Sequence, residues 1–212
     1  MTHSTSVANP SERLIRRWDV ALSLLALIAL APAMLFIAAA IVLQDGGSPI
    51  YAHRRYGRGG RTFLCYKFRS MRLDGDARLA RLLAHDPFAR AEWERDHKLR
   101  RDPRVTPIGR FIRKFSLDEL PQFFNVLRGE MSLVGPRPIV AAEVRRYGRH
   151  FGEYCSVRPG LTGIWQISGR NDVGYRRRVA MDRMLARRLS PQLYVNLVAG
   201  TARSVLAGRG AY

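Results

Sequence analysis

A chain of 212 residues with 47% hydrophobic residues is long enough to bury a core and too apolar for global disorder. Its formal net charge of +19 calls for an anionic partner, such as a bilayer surface or phosphorylated substrates, although the excess is almost all arginine and base composition offers a second explanation. The two cysteines, Cys65 and Cys155, exclude a disulfide framework and a paired-cysteine metal site.

Val20 to Leu43 is nearly unbroken apolar sequence. As one helix it spans about 36 Å, enough for a hydrocarbon core of ~30 Å. Pro32 near its middle favours a kink. Arg13, Arg16 and Arg17 precede the segment and Arg54, Arg55, Arg58 and Arg61 follow it, so the positive-inside rule holds both flanks on the cytoplasmic side. A re-entrant helix meets both conditions; a kinked single span is the alternative.

Turn residues at 46–60 bracket a short strand near Ile50–Ala52, and Thr62–Phe68 is β-branched and aromatic enough for a second strand. Leu79, Leu82 and Leu83 predict a helix before Pro87, with another across Ala91–Leu99. Ile108, Phe111, Ile112 and Phe115 recur at helical spacing with Arg110, Arg113 and Lys114 between them, which suits either a bilayer surface or a core with a solvated basic face. Leu120, Phe123, Phe124 and Leu127 repeat the spacing up to Gly129, and Tyr194, Leu197, Val198, Thr201 and Val205 predict a helix near the C-terminus.

Four elements carry candidate chemistry. Lys67-Phe68-Arg69-Ser70-Met71 ends the second strand with two cations. Ser116-Leu117-Asp118-Glu119-Leu120-Pro121 follows Arg113; Pro121 suits a first helical turn and puts Asp118 near a helix N-terminus. There the helix dipole and Arg113 favour an ionised carboxylate able to attack phosphorus. A capping box of Ser116 and Glu119 is the competing explanation. In Gly129–Pro138, two prolines hold Arg137 between them, as a phosphate clamp or a tight turn. In Arg158–Asp172, glycines allow close approach to a ligand, Trp165 offers a flat surface, and Arg158 and Arg170 offer charge; a buried Trp in a glycine-rich loop is equally compatible. The histidines are scattered, and no pattern of stacking aromatics accompanies the charge, so nucleic acid is not an expected partner.

Taken in order, YKFRSM at 66–71, SLDELPQ at 116–122, GEMSLVGPRP at 129–138 and RPGLTGIWQISGR at 158–170, after an apolar segment, resemble the bacterial sugar transferases, the monotopic phosphoglycosyl transferases. The resemblance covers about Arg13 to Tyr212. It implies an α/β fold, mostly α with a small sheet: a tail and re-entrant helix over 1–45, then a compact cytoplasmic catalytic domain with interfacial helices over 46–212. It implies that Asp118 is the nucleophile forming a phosphosugar–enzyme intermediate and Glu119 its partner at Mg²⁺. Lys67, Arg69, Arg113, Arg137, Arg158, Arg170 and Asn171 are the implied substrate-binding residues. The implied substrates are a UDP-sugar and undecaprenyl phosphate, and the implied location is the inner leaflet of the bacterial cytoplasmic membrane. SGRNDV at 168–173 and the terminal Gly210-Ala211-Tyr212 resemble members that transfer galactose-1-phosphate, whereas Ser190–Tyr194 lacks their Trp-rich stretch. A homodimer is left open.

Overall fold

The structure, a computed structural model, describes residues 10–96, 99–168 and 173–206. It opens with a single long helix, α1 (Pro10–Asp45), which continues through Pro32. A 36-residue helix is about 54 Å long, and among the described residues it alone is long and apolar enough to cross a bilayer. Its two ends are seated on the rest of the molecule. Ile15 joins a core cluster with Val126, Leu133, Tyr194 and Leu197, whereas Ile37 and Ile41 pack with Phe68 and Ile112. Between these seats Leu24, Leu25, Ile28, Leu35 and Phe36 are exposed.

Buried polar groups fix the first seat. The Asp19 carboxylate is 1% exposed. Its Oδ1 accepts from the Leu133 backbone N–H (2.9 Å), the Ser132 hydroxyl (3.0 Å) and the Tyr194 hydroxyl (2.9 Å). One turn earlier, Arg16 donates to the Val126 and Leu127 carbonyls at 2.6 and 2.9 Å. These carbonyls close the helix α5 (Gln122–Leu127), whose C-terminal end favours a cation.

Two strands follow, β1 (Ile50–Tyr56) and β2 (Thr62–Phe68), antiparallel from Ile50 opposite Phe68 to Tyr56 opposite Thr62. The second lies where its composition predicts; the first runs four residues past the predicted Ile50–Ala52, because His53, Arg54 and Arg55 disguise a strand that is paired along its length. The register sets Cys65, Lys67 and their partners His53 and Tyr51 on one face.

Helices α2 (Gly75–His85) and α3 (Pro87–Asp96) form a pair. The latter starts four residues before the predicted Ala91, since Pro87 suits a first turn and Asp86 Oδ1 accepts from the N–H groups of Phe88 and Ala89. In α4 (Pro107–Lys114) the Thr106 side chain caps Gly109 N–H. The predicted apolar stripe divides here. Ile112 is fully buried against Phe68, Ile37 and Ile41, but Phe111 and Phe115 remain exposed, with ring centroids 5.0 Å apart. The helix therefore packs on the core and also presents aromatic and basic residues outward.

The α5 helix buries Gln122, Asn125 and Val126; of the predicted stripe, Leu120 and Phe123 pack against the core clusters, whereas Phe124 is 48% exposed. Asn125 holds the helix in this orientation. Its amide donates to the Leu64 carbonyl (2.7 Å) and to Glu130 (2.6 Å), and its Oδ1 accepts from Tyr66 N–H (3.0 Å). These bonds satisfy a buried side chain and pin α5 to β2.

After β3 (Ser132–Val134) come α6 (Ala141–Tyr147), α7 (Phe151–Tyr154) and β4 (Gly160–Thr162), the last pairing in parallel with β3. Then follow α8 (Ile164–Ile167), α9 (Tyr175–Arg188) and α10 (Pro191–Leu206). The predicted C-terminal helix is thus present, with Tyr194 and Leu197 buried. A Cβ on Gly160 would lie 2.0 Å from the Gly135 nitrogen, so the glycines of these loops serve the approach of one backbone to the other. Gly135 N–H donates to the Thr162 carbonyl and Gly160 N–H to that of Pro136.

Candidate active site

The two acidic residues emerge from a strained connection. Between α4 and α5 the chain makes a 3₁₀ turn, Leu117–Glu119, entered through Ser116 at φ 56°, a conformation that is uncommon for a residue other than glycine. With Ser116 so placed its side chain makes no capping bond, and the capping box that would explain the Ser116–Glu119 spacing is not formed. The carboxylates are instead turned toward cations supplied by other elements. Lys67, from β2, places Nζ 2.6 Å from Glu119 Oε1 and 3.7 Å from Asp118 Oδ2. Arg137, from the Pro-Arg-Pro segment after β3, places Nη1 3.5 Å from the same Glu119 oxygen. Four predicted residues from three separate segments therefore converge. The Asp118 side chain is 13% exposed and that of Arg137 40%, so the cluster is sheltered at the acids and open at the arginine.

The electrostatics differ from the sequence expectation for Asp118. Burial pushes its carboxyl above the ordinary value; Lys67 opposes this, Glu119 adds to it, and Arg113 and Arg137 oppose it. Desolvation outweighs the neighbouring cations. For Arg137, burial works against the charge, but the carboxylates of Glu119 and Asp118 help to hold it cationic.

The other predicted residues are distributed elsewhere. Arg113 lies close enough to act on the Asp118 charge while remaining exposed. Arg69 pairs with Asp45 and reaches the Ile41 carbonyl, joining the end of β2 to the end of α1. Arg158 binds Glu12 (3.3 Å) and the Gly129 carbonyl (3.0 Å). It lines a basic cleft beside the start of α1 together with Arg58, Arg61 and Arg128, and none of the clustered carboxylates and cations lines that cleft. Arg170 and Asn171, with most of the SGRNDV stretch and the terminal Gly210-Ala211-Tyr212, lie outside the described residues. Trp165 is 6% exposed, so it is a buried ring and not an open platform.

Sequence reasoning missed what stands behind Arg137. Asp182, on α9, is 1% exposed. It accepts from Trp165 Nε1 (3.1 Å) and from the Tyr147 hydroxyl (2.7 Å), and the Arg137 backbone lies near enough to act on its charge. Burial raises its pKa to about 7, against the lowering effect of those bonds. The signal was a spacing: Val179, Asp182 and Leu185 are the buried stripe of an otherwise arginine-rich helix. Arg55 was missed too; it donates to the Pro138 carbonyl (3.3 Å) and lies 3.8 Å from Glu143.

Among the described residues no group of three acidic, histidine or cysteine side chains could cage a metal ion. Asp118 and Glu119 are two adjacent carboxylates, the protein's usual share of a magnesium site whose other positions are filled by water and phosphate oxygens. The donor set fits an ion that arrives with a phosphorylated substrate.

Residues 11–208 match the family described as bacterial sugar transferase. The chain is 49% identical over 208 residues to an undecaprenyl-phosphate galactose phosphotransferase of Salmonella typhimurium, covering 98% of this chain and 44% of that protein. It is 48% identical to the exopolysaccharide production protein ExoY of Sinorhizobium fredii, covering 93% of this chain and 87% of the relative. A UDP-glucose:undecaprenyl-phosphate glucose-1-phosphate transferase of Xanthomonas campestris is 37% identical, covering 92% of this chain and 39% of that protein. The chain thus spans less than half the length of the Salmonella and Xanthomonas relatives.

Proposed function

The chain belongs to the bacterial sugar transferase family, and on that footing we propose that it transfers a hexose-1-phosphate from a UDP-sugar to undecaprenyl phosphate through a covalent intermediate on Asp118. The observation that carries the reading is the convergence of Asp118, Glu119, Lys67 and Arg137 from three separate segments onto one sheltered cluster. A carboxylate oxygen of Asp118 forms a bond to the phosphorus that bears the sugar, and the bond from that phosphorus to the bridging oxygen breaks. UMP departs with the electron pair. A phosphate oxygen of the lipid then attacks the same phosphorus and releases Asp118, giving a polyprenyl-diphosphate sugar.

Each neighbour has a part. Lys67 and Arg113 favour the ionised nucleophile against the desolvation that opposes it. Lys67 also holds Glu119 beside Asp118. Arg137, the most open of the four, is placed to bind phosphate oxygens as their charge is redistributed. Asp118 and Glu119 would hold Mg²⁺ delivered with the pyrophosphate, and the ion would supply charge neutralisation at the phosphates.

The anchor supports a re-entrant reading. Asp19 and Asp45 are 26 residues apart on α1, roughly 39 Å along a straight helix, more than a hydrocarbon core. A single crossing would put them on opposite sides of the bilayer. Both are instead bonded to the one folded body, Asp19 to β3 and α10 and Asp45 to Arg69 at the end of β2. A helix that dips into one leaflet between Asp19 and Asp45, bending at Pro32, meets the exposed apolar midsection and the basic flanks together. The active site then sits at the cytoplasmic face of the inner membrane, where a soluble donor and a lipid acceptor meet.

The names of the relatives point to galactose and to glucose as first donors to try. The test is UMP release across a panel of UDP-sugars with undecaprenyl phosphate and Mg²⁺. Alongside it, label from the sugar phosphate is followed on the protein when the lipid is withheld. The expected outcome is a labelled wild-type protein, with neither label nor turnover in Asp118→Asn. Turnover surviving that substitution with no adduct would overturn the covalent mechanism.

A further inference from the structure

Arg137 reaches the reacting cluster from a short loop, and a loop arginine is useful to a transition state only if something holds it. The two donors on Asp182 come from two elements. Tyr147 ends α6 and Trp165 lies in α8. The indole held by Asp182 also underlies the arginine: the Arg137 guanidinium lies 6.0 Å from the centre of the Trp165 ring, and that of Arg178 4.7 Å from it. One buried carboxylate therefore fixes the aromatic ring beside the Arg137 guanidinium. No part of the proposed chemistry requires Asp182 to touch substrate.

We propose that Asp182 is a positioning residue that sets the reach of Arg137 toward the phosphate-binding cluster through the Trp165 ring. The inference rests on the phosphoglycosyl transferase reading. It adds the claim that transition-state binding by Arg137 depends on a side chain 45 positions later on a different helix. Asparagine at 182 keeps the size but replaces one acceptor oxygen by a donor, so the indole N–H or the Tyr147 hydroxyl loses its acceptor.

The experiment is a double-mutant cycle on the detergent-solubilised full chain, with UMP release as readout and kcat and KM for the UDP-sugar determined separately. Asp182→Asn is expected to lower kcat/KM about 10- to 100-fold, with a raised KM contributing. In an Arg137→Ala background the same change is expected to cost less than about 2-fold, because the group through which it acts is gone. Tyr147→Phe removes one donor and leaves the carboxylate; it gives a second, milder entry to the cycle if Asp182→Asn folds poorly, with a loss of several-fold that likewise vanishes without Arg137. A merely structural role predicts a fall in kcat with KM unchanged and losses that multiply in the double variants, and that result overturns the proposal. If the wild-type chain releases no UMP from any donor, or Asp118→Asn remains active, the underlying reading fails instead.

Discussion

The seat of α1 on the catalytic body can be tested at Asp19. Alanine there removes the acceptor for three buried donors, Leu133 N–H, Ser132 Oγ–H and Tyr194 O–H, at 2.9–3.0 Å. The amide has nowhere to rotate, so its loss alone costs about 1–3 kcal/mol. The hydroxyls can reorient and contribute roughly 1 kcal/mol each. Removing a buried carboxylate from an apolar seat offsets part of this, leaving a net destabilisation of about 3 kcal/mol. For a chain of this size that is a fall in Tm of roughly 6–12 °C. Asp19→Asn retains the accepting Oδ1 and is expected to cost about 1 kcal/mol. Thermal unfolding in detergent, followed by tryptophan fluorescence, is the assay; Trp18 lies 5.7 Å from the Tyr194 ring and reports on the seat directly. An Asp19→Ala protein unfolding within about 2 °C of wild type, as judged on that scale, would show that the three bonds do not hold the helix.

Replacing Lys67 by methionine removes the 2.6 Å bond to Glu119 and a charge that holds the Asp118 pKa down. kcat/KM should fall about 10- to 150-fold, the equivalent of ~1.5–3 kcal/mol for a bond to a charged group, and its acid limb should move to higher pH. An unmoved limb would separate Lys67 from the titration of Asp118. Burial pushes the Asp182 carboxyl up to about 7 in the folded chain, against an ordinary value of 3.8. The unfolded chain therefore releases this proton first, and the contribution to stability is full below about 3.8, declining as pH rises to about 7 by at most ~4 kcal/mol. Tm measured across that window should fall less steeply in Asp182→Asn than in wild type. Gly160→Ala would drive a methyl to 2.0 Å from the Gly135 nitrogen. A loss of about 3 kcal/mol or more is expected, read as a lowered denaturant midpoint; an unchanged midpoint would mean the two loops can part without cost.

The local elements were legible because their residues obey short-range rules. The strand at Thr62–Phe68, the helix at Pro107–Lys114 and the apolar length of α1 follow from β-branching, capping and periodicity, which act within a few residues. The carboxylate pair was legible as well, since Pro121 marks the start of a helix and Asp118 and Glu119 precede it. What the chain could not disclose on its own is which charges meet. Arg69, Arg137 and Arg158 look alike as cations beside conspicuous motifs, yet Asp45 takes the first, Glu119 the second and Glu12 the third. Pairing depends on packing across distances of up to 146 residues, and a side chain's own neighbours carry no record of it. The same holds for Asp182, whose place in an arginine-rich helix suggests solvent until α9 folds it inward against Tyr147 and Trp165. It holds again for Asp118: the sequence places it near a helix start, where charge is favoured, and burial in the folded protein works against that preference by withdrawing water.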